Sequence, residues 1–169
     1  MIRFVLATAL ALLAAGPATA AAAPRIGIDS FAQLATPLPY PYNAAADADA
    51  QVARAKARAR KAGKLLLIDL GGNWCGDCRI LTGVMERPDL KPFLDAHYIT
   101  VLVDVGRFDR NLQIPARYGI TERLEGVPAL LIVDPKTDRL LDAGQVTALA
   151  DARNMSPQGL ADWLAQWVR

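Results

Sequence analysis

The chain has 169 residues, 53% of them hydrophobic, and a formal net charge of +2. That length supports one domain with a sizeable core and is too short for two comfortable ones. A charge so near balance gives no electrostatic case for nucleic acid or an anionic membrane surface.

Residues 1–20 have the anatomy of a secretory signal. Arg3 gives a positive start, Phe4 to Ala15 an apolar stretch, Gly16-Pro17 a helix break, and Ala18-Thr19-Ala20 a small-x-small cleavage pattern. The apolar stretch is shorter than the roughly 20 residues a membrane span needs, which favours a cleaved signal over a retained anchor. Cleavage after Ala20 is expected, because a cut after Ala23 would leave Pro24 immediately following. No Cys follows the signal, so a lipid anchor is not expected, and the Ala-rich character points to export to a bacterial periplasm.

Residues 21–43 read as an irregular lead-in, since Pro37, Pro39 and Pro41 at alternate positions rule out regular helix. The folded domain is expected over residues 44–169. Asp47 to Ala62 predicts a first helix, acidic at its start, basic at its end and stopped at Gly63. Its Arg and Lys residues read as a solvated face, because no aromatic residue interleaves with them. Leu65 to Leu70 is a short apolar run, the mark of a strand buried on both faces. Gly71-Gly72-Asn73 then turns the chain into a helix from about Cys75 to Glu86, broken near Pro88 and continuing to Ala96.

Tyr98 to Val105 predicts a second buried strand and Asn111 to Tyr118 a short helix with Pro115 in its first turn. Asp104 and Asp109, near Arg107 and Arg110, read as a solvated loop. Ala129 to Val133 predicts a third strand, and Arg139 to Ala143 a fourth at the edge. Ser156-Pro157 opens a last helix whose apolar face is Leu160, Trp163, Leu164 and Trp167. The order is α-β-α-β-α-β-β-α, so the fold class is α/β: a central mixed sheet flanked by helices on both faces.

The chemistry rests on Trp74-Cys75-Gly76-Asp77-Cys78, which holds both cysteines of the chain. A disulfide closing so small a loop removes little entropy from the unfolded chain, so the pair is a poor staple. A structural zinc site needs four ligands, and the chain offers no further Cys and a single histidine, His97. No metal or other cofactor is therefore expected. Two cysteines one turn apart at a strand-to-helix junction suit disulfide chemistry instead. The first sits where helix N–H groups and the dipole favour a thiolate, and the second lies within bonding reach.

The segment Leu67 to Arg79 resembles the active-site segment of the thioredoxin family. It has an aromatic residue before the first Cys and an acid, Asp69, six residues upstream of it. Gly126-Val127-Pro128-Ala129-Leu130 resembles the family's second landmark, a loop with a cis proline opening the third core strand. Pro128 follows Cys78 by 50 residues, close to the family spacing, with a small insertion around Gly106 to Gln113. The resemblance covers residues 44–169 and implies a thioredoxin-like fold.

The resemblance also implies roles. Cys75 would attack the substrate disulfide, Cys78 would resolve the mixed disulfide, and Asp69 beneath the motif would move the proton of Cys78. Trp74, Gly76, Asp77, Val127 and Pro128 would form the substrate-binding surface, with Val127 offering backbone to an extended segment. The implied activity is thiol–disulfide exchange on disulfide-containing exported proteins, with a membrane electron donor restoring the dithiol. Three departures stand out: Leu70-Gly71 where an aromatic pair is usual, no lysine within Thr100 to Val103, and Asp77 where thioredoxin has proline. An anionic Asp77 should oppose a thiolate at Cys75 and make the pair more reducing. The alternatives are a dithiol oxidase of the same fold and a non-catalytic assembly factor with a redox-switch pair.

Overall fold

The computed structural model describes residues 21–168; the signal reading of residues 1–20 lies outside them. Its regular elements are helix α1 (Ala48–Ala62), strand β1 (Leu65–Gly71), helices α2 (Gly76–Met85) and α3 (Lys91–His97), strand β2 (Tyr98–Asp104), helix α4 (Gln113–Ala116), strands β3 (Ala129–Asp134) and β4 (Arg139–Leu140), and helix α5 (Pro157–Ala165). Two 3₁₀ turns, Phe31–Gln33 and Ala152–Asn154, complete the list.

The sheet runs β2-β1-β3-β4. β1 pairs parallel with β2 and antiparallel with β3, and β3 pairs antiparallel with β4. This is the expected mixed sheet, with β1 at its centre and all of Leu66 to Gly71 buried. Along β1 the side chains alternate between two cores. Leu66, Ile68 and Leu70 join Val52, Ala55 and Ala59 of α1, whereas Leu67 joins Leu81, Leu94, Leu160 and Leu164 from α2, α3 and α5. Alanine on the inner face of α1 lets that helix lie close to the sheet, and Gly63 ends it in a left-handed turn at φ 66°. At α5, Ser156 caps the Gly159 N–H at 3.0 Å and Pro157 takes the first position, as the sequence predicts.

Three elements differ from expectation. The helix expected over Asn111 to Tyr118 shrinks to one turn, because Asn111 takes a left-handed φ of 56° and cannot begin it. β4 is two residues long rather than five. Beyond it the Asp142 carboxylate, in place of a backbone carbonyl, accepts the Ile132 N–H at 2.9 Å, so the ladder is finished by a side chain. The lead-in is irregular as expected but packs tightly, with Ile26, Leu34 and Tyr42 buried in the two cores.

Candidate redox site

Cys75 is the N-cap residue of α2, and the cap atom is its sulfur: the Cys78 N–H points at Cys75 Sγ from 3.1 Å. Donation from that amide and the helix dipole both favour negative charge on Cys75. Cys75 and Cys78 are joined as a disulfide across a Cα–Cα distance of 5.3 Å. Cys78 is fully buried and Cys75 nearly so, but only Cys75 borders an open groove of 400 Å³. That asymmetry leaves Cys75 as the sulfur open to the groove and Cys78 as the enclosed one. A larger cavity of 560 Å³ lies at the opposite end of the sheet, near Lys64, His97 and Trp167, and has no cysteine.

The other groove residues come from four places in the chain. Val127 precedes a cis bond to Pro128, and its carbonyl lies 3.4 Å from Cys75 Sγ. In the disulfide that sulfur has no hydrogen to donate; as a thiol it could donate to this oxygen. Trp74 is 43% exposed, its indole donating to the Gly106 carbonyl at 2.6 Å and its ring edge-on to Phe108 at 6.1 Å. Arg107 lies 4.8 Å from the centre of the Trp74 ring. The insertion Gly106 to Gln113 therefore builds one wall of the groove. Asp104, at the end of β2 just ahead of it, is buried rather than solvated, accepting from the Gly106 N–H at 2.8 Å.

Asp77 is not a free anion beside the cysteines. Arg153 donates Nε to Oδ1 at 2.9 Å, Nη2 to Oδ2 at 2.6 Å and its own backbone N–H to Oδ1 at 2.9 Å. Burial alone would raise the carboxyl's pKa, but those bonds outweigh it and hold Asp77 below the ordinary carboxylate range. The Arg153 guanidinium also lies against Gly76. The expectation that Asp77 opposes a thiolate by its charge is thus corrected: an adjacent cation offsets it. Arg153 sits in the 3₁₀ turn of residues 152–154, 76 positions along the chain, and nothing in its local sequence marks it as Asp77's partner.

Asp69 is completely buried on β1, and burial lifts its pKa to about 7 against the lowering effect of a 2.8 Å hydrogen bond from the Tyr42 hydroxyl. Its second oxygen, Oδ2, has no partner among the described residues. A carboxyl balanced near neutrality can take up and return a proton, and its Tyr42 partner meets the Cys78 sulfur at Gly71. Sequence reasoning placed Asp69 here but missed Tyr42, which comes from the lead-in.

A family model described as thioredoxin-like matches residues 47–135. The chain belongs to the thioredoxin-like family. Among solved structures, a disulphide isomerase from Xylella fastidiosa Temecula1 shares 36% identity, covering 76% of this chain and 96% of that one with a TM-score of 0.68. A protein of unknown function from Pseudomonas aeruginosa matches at 20% identity over 73% of this chain and 86% of that chain, with a TM-score of 0.39. No curated protein matches the chain. This thioredoxin-like protein thus carries the fold expected from its two motifs, with the cysteine pair at disulfide distance.

Proposed function

We propose that this thioredoxin-like protein reduces or exchanges disulfides in exported proteins by cycling Cys75 and Cys78 between dithiol and disulfide. The observation that carries the reading is the division of labour at the pair. Cys75 borders the groove at a helix N-terminus, while Cys78 lies fully buried in the same region as the near-neutral carboxyl of Asp69. In the reductive direction the Cys75 thiolate attacks a substrate disulfide, forming a mixed disulfide and releasing one substrate thiolate. Cys78 then loses its proton and attacks Cys75 Sγ. The second substrate thiolate leaves and is protonated, and the protein is left as the disulfide.

Trp74, Phe108 and the Arg153–Asp77 pair frame the groove. Val127, whose N–H and carbonyl enter no backbone ladder, offers an edge to an extended segment. The related disulphide isomerase supports exchange chemistry at this site. The signal-like residues 1–20 support export to a periplasm, where a membrane electron donor would regenerate the dithiol.

The test is equilibration of the purified protein with thiol buffers of known poise. A potential near about −270 mV places it with reductants, whereas one near about −120 mV makes it an oxidant and overturns the direction. A pair that does not titrate reversibly overturns the enzymatic reading altogether.

A further inference from the structure

Three residues of the redox segment reach back to residues 38–42. Asn73 and Tyr42 hold each other reciprocally: the Tyr42 N–H donates to Asn73 Oδ1 at 3.0 Å, and Asn73 Nδ2 donates to the Tyr42 carbonyl at 2.8 Å. Arg79 donates to the carbonyls of Leu38 and Pro39 at 2.8 and 3.0 Å and lies over the Tyr40 ring at 3.8 Å. Asp69 accepts from the Tyr42 hydroxyl.

The phenol is fully enclosed, and Gly71 explains how it enters. A β-carbon at position 71 would come within 3.0 Å of Tyr42 Oη, Tyr42 Cζ and Cys78 Sγ alike. The missing side chain at 71 is what lets the hydroxyl and the buried sulfur converge on one point. The departure at Leu70-Gly71 and the ring of Tyr42 are thus two halves of one arrangement: the lead-in supplies an aromatic side chain where β1 supplies none.

We propose that Tyr42 is a positioning residue of the redox centre, holding Oδ1 of Asp69 so that Oδ2 is the oxygen that exchanges a proton with Cys78. This rests on the reading of Cys75 and Cys78 as a cycling dithiol. In the mixed disulfide, the Cys78 thiol passes its proton to Oδ2 and its sulfur attacks Cys75 Sγ. The bond from Cys75 to the substrate breaks, and the departing thiolate collects a proton from Asp69 or water. The titratable groups gathered here are Tyr42 from the lead-in, which bonds Asp69, Cys78 from α2, which meets Tyr42 at Gly71, and Asp104 at the end of β2, whose charge bears on Tyr42 and which lies 3.9 Å from Arg110. The facing β3 residues, Ala129 and Leu130, carry no charge. Because the phenol's hydrogen bond stabilises the carboxylate, removing it makes Asp69 a proton-holder to higher pH.

Stopped-flow oxidation of the reduced protein by 5,5′-dithiobis(2-nitrobenzoate) separates attack by Cys75 from closure by Cys78, since each step releases thionitrobenzoate. In Tyr42→Phe the closure profile is expected to move up by about one pH unit, with closure about tenfold slower below the midpoint and convergent above it. The Cys75 step should be unchanged. In an Asp69→Asn background, Tyr42→Phe should add nothing. A closure profile superimposable on wild type, or an equal slowing in the Asp69→Asn background, overturns the proposal. Asn73→Ala, which frees the Tyr42 backbone and keeps its hydroxyl, should give a smaller shift of the same sign; no shift in either variant is equally fatal. Failure of the underlying reading looks different: wild type itself would show no closure step, and Cys78→Ser would match it.

Discussion

Asp69 and Asp142 are both completely buried, and each leaves Oδ2 without a hydrogen-bond partner among the described residues. Burial raises both, Asp69 to about 7 and Asp142 to about 6. Their partners differ. Asp142 accepts a backbone N–H from Ile132 and completes the end of a strand ladder, and it does not line the groove. Asp69 accepts a side-chain hydroxyl whose oxygen converges with the Cys78 sulfur on Gly71. Burial by itself therefore makes a titrating carboxyl; what distinguishes Asp69 is a partner hydroxyl shared with the cysteine site, the basis of the proton-carrying role proposed for it.

The largest expected effects test the sulfur side of that comparison. Cys75→Ser should abolish disulfide reduction, and Cys78→Ser should accumulate the mixed disulfide, seen by mass spectrometry as a covalent adduct lost on adding a thiol. Next come the carboxyls themselves. Asp69→Asn should slow turnover at neutral pH by about 10²-fold, within the range of general acid–base catalysis, while Asp142→Asn should leave turnover unchanged. Equal slowing by the two variants would erase the distinction.

How far the sequence reached has a physical explanation that the same residues supply. Cys75 and Cys78 were legible from their spacing at a strand-to-helix junction, and Asp69 and Pro128 through the resemblance of their segments to the two family landmarks. The sheet was legible because β1 and β3 are continuous apolar runs and Ser156-Pro157 is a local helix start. Tyr42 and Arg153 were not, because each acts through a contact between distant segments that no local pattern encodes. Asp142 was hidden for the opposite reason: it lies in a strand-like stretch, and only the fold reveals that its side chain replaces a backbone partner. Asp77 was found and misjudged, since its charge was weighed without the guanidinium that offsets it.

The two buried carboxyls also make a joint prediction about stability. Each holds its proton more tightly folded than unfolded, so between the unfolded value near about 4 and the folded values the native state binds more protons. Stability must then fall as pH rises from about 4 through 6 for Asp142 and on to 7 for Asp69, by several kcal/mol in sum (on the order of 7), and these two contribute no further change above that. The lowered carboxyls of Asp77, Asp89 and Asp134 act the other way, but their gain is complete by about pH 5. Urea midpoints of the oxidised protein should trace this decline. Asp142→Asn should remove the part ending near 6 and Asp69→Asn the part ending near 7. A midpoint that climbs steadily from pH 4 to 8 would show that neither carboxyl is held neutral by the fold.

The smallest effect concerns a carboxylate that is neither buried alone nor near-neutral. Asp77 stays ionised because Arg153 holds it, and the pair places offsetting charges beside Gly76. Arg153→Ala should expose the Cys75 thiolate to an unbalanced anion, disfavour the reduced form and move the potential of the pair more negative. Arg153 is more than half exposed, so solvent screens the pair and limits the shift to about 10–30 mV. Asp77→Asn in the same background should reverse it, because the anion is then gone. A potential indifferent to Arg153→Ala would mean that water already screens Asp77 from the sulfur, leaving the helix N-terminus as the source of the thiolate's stability.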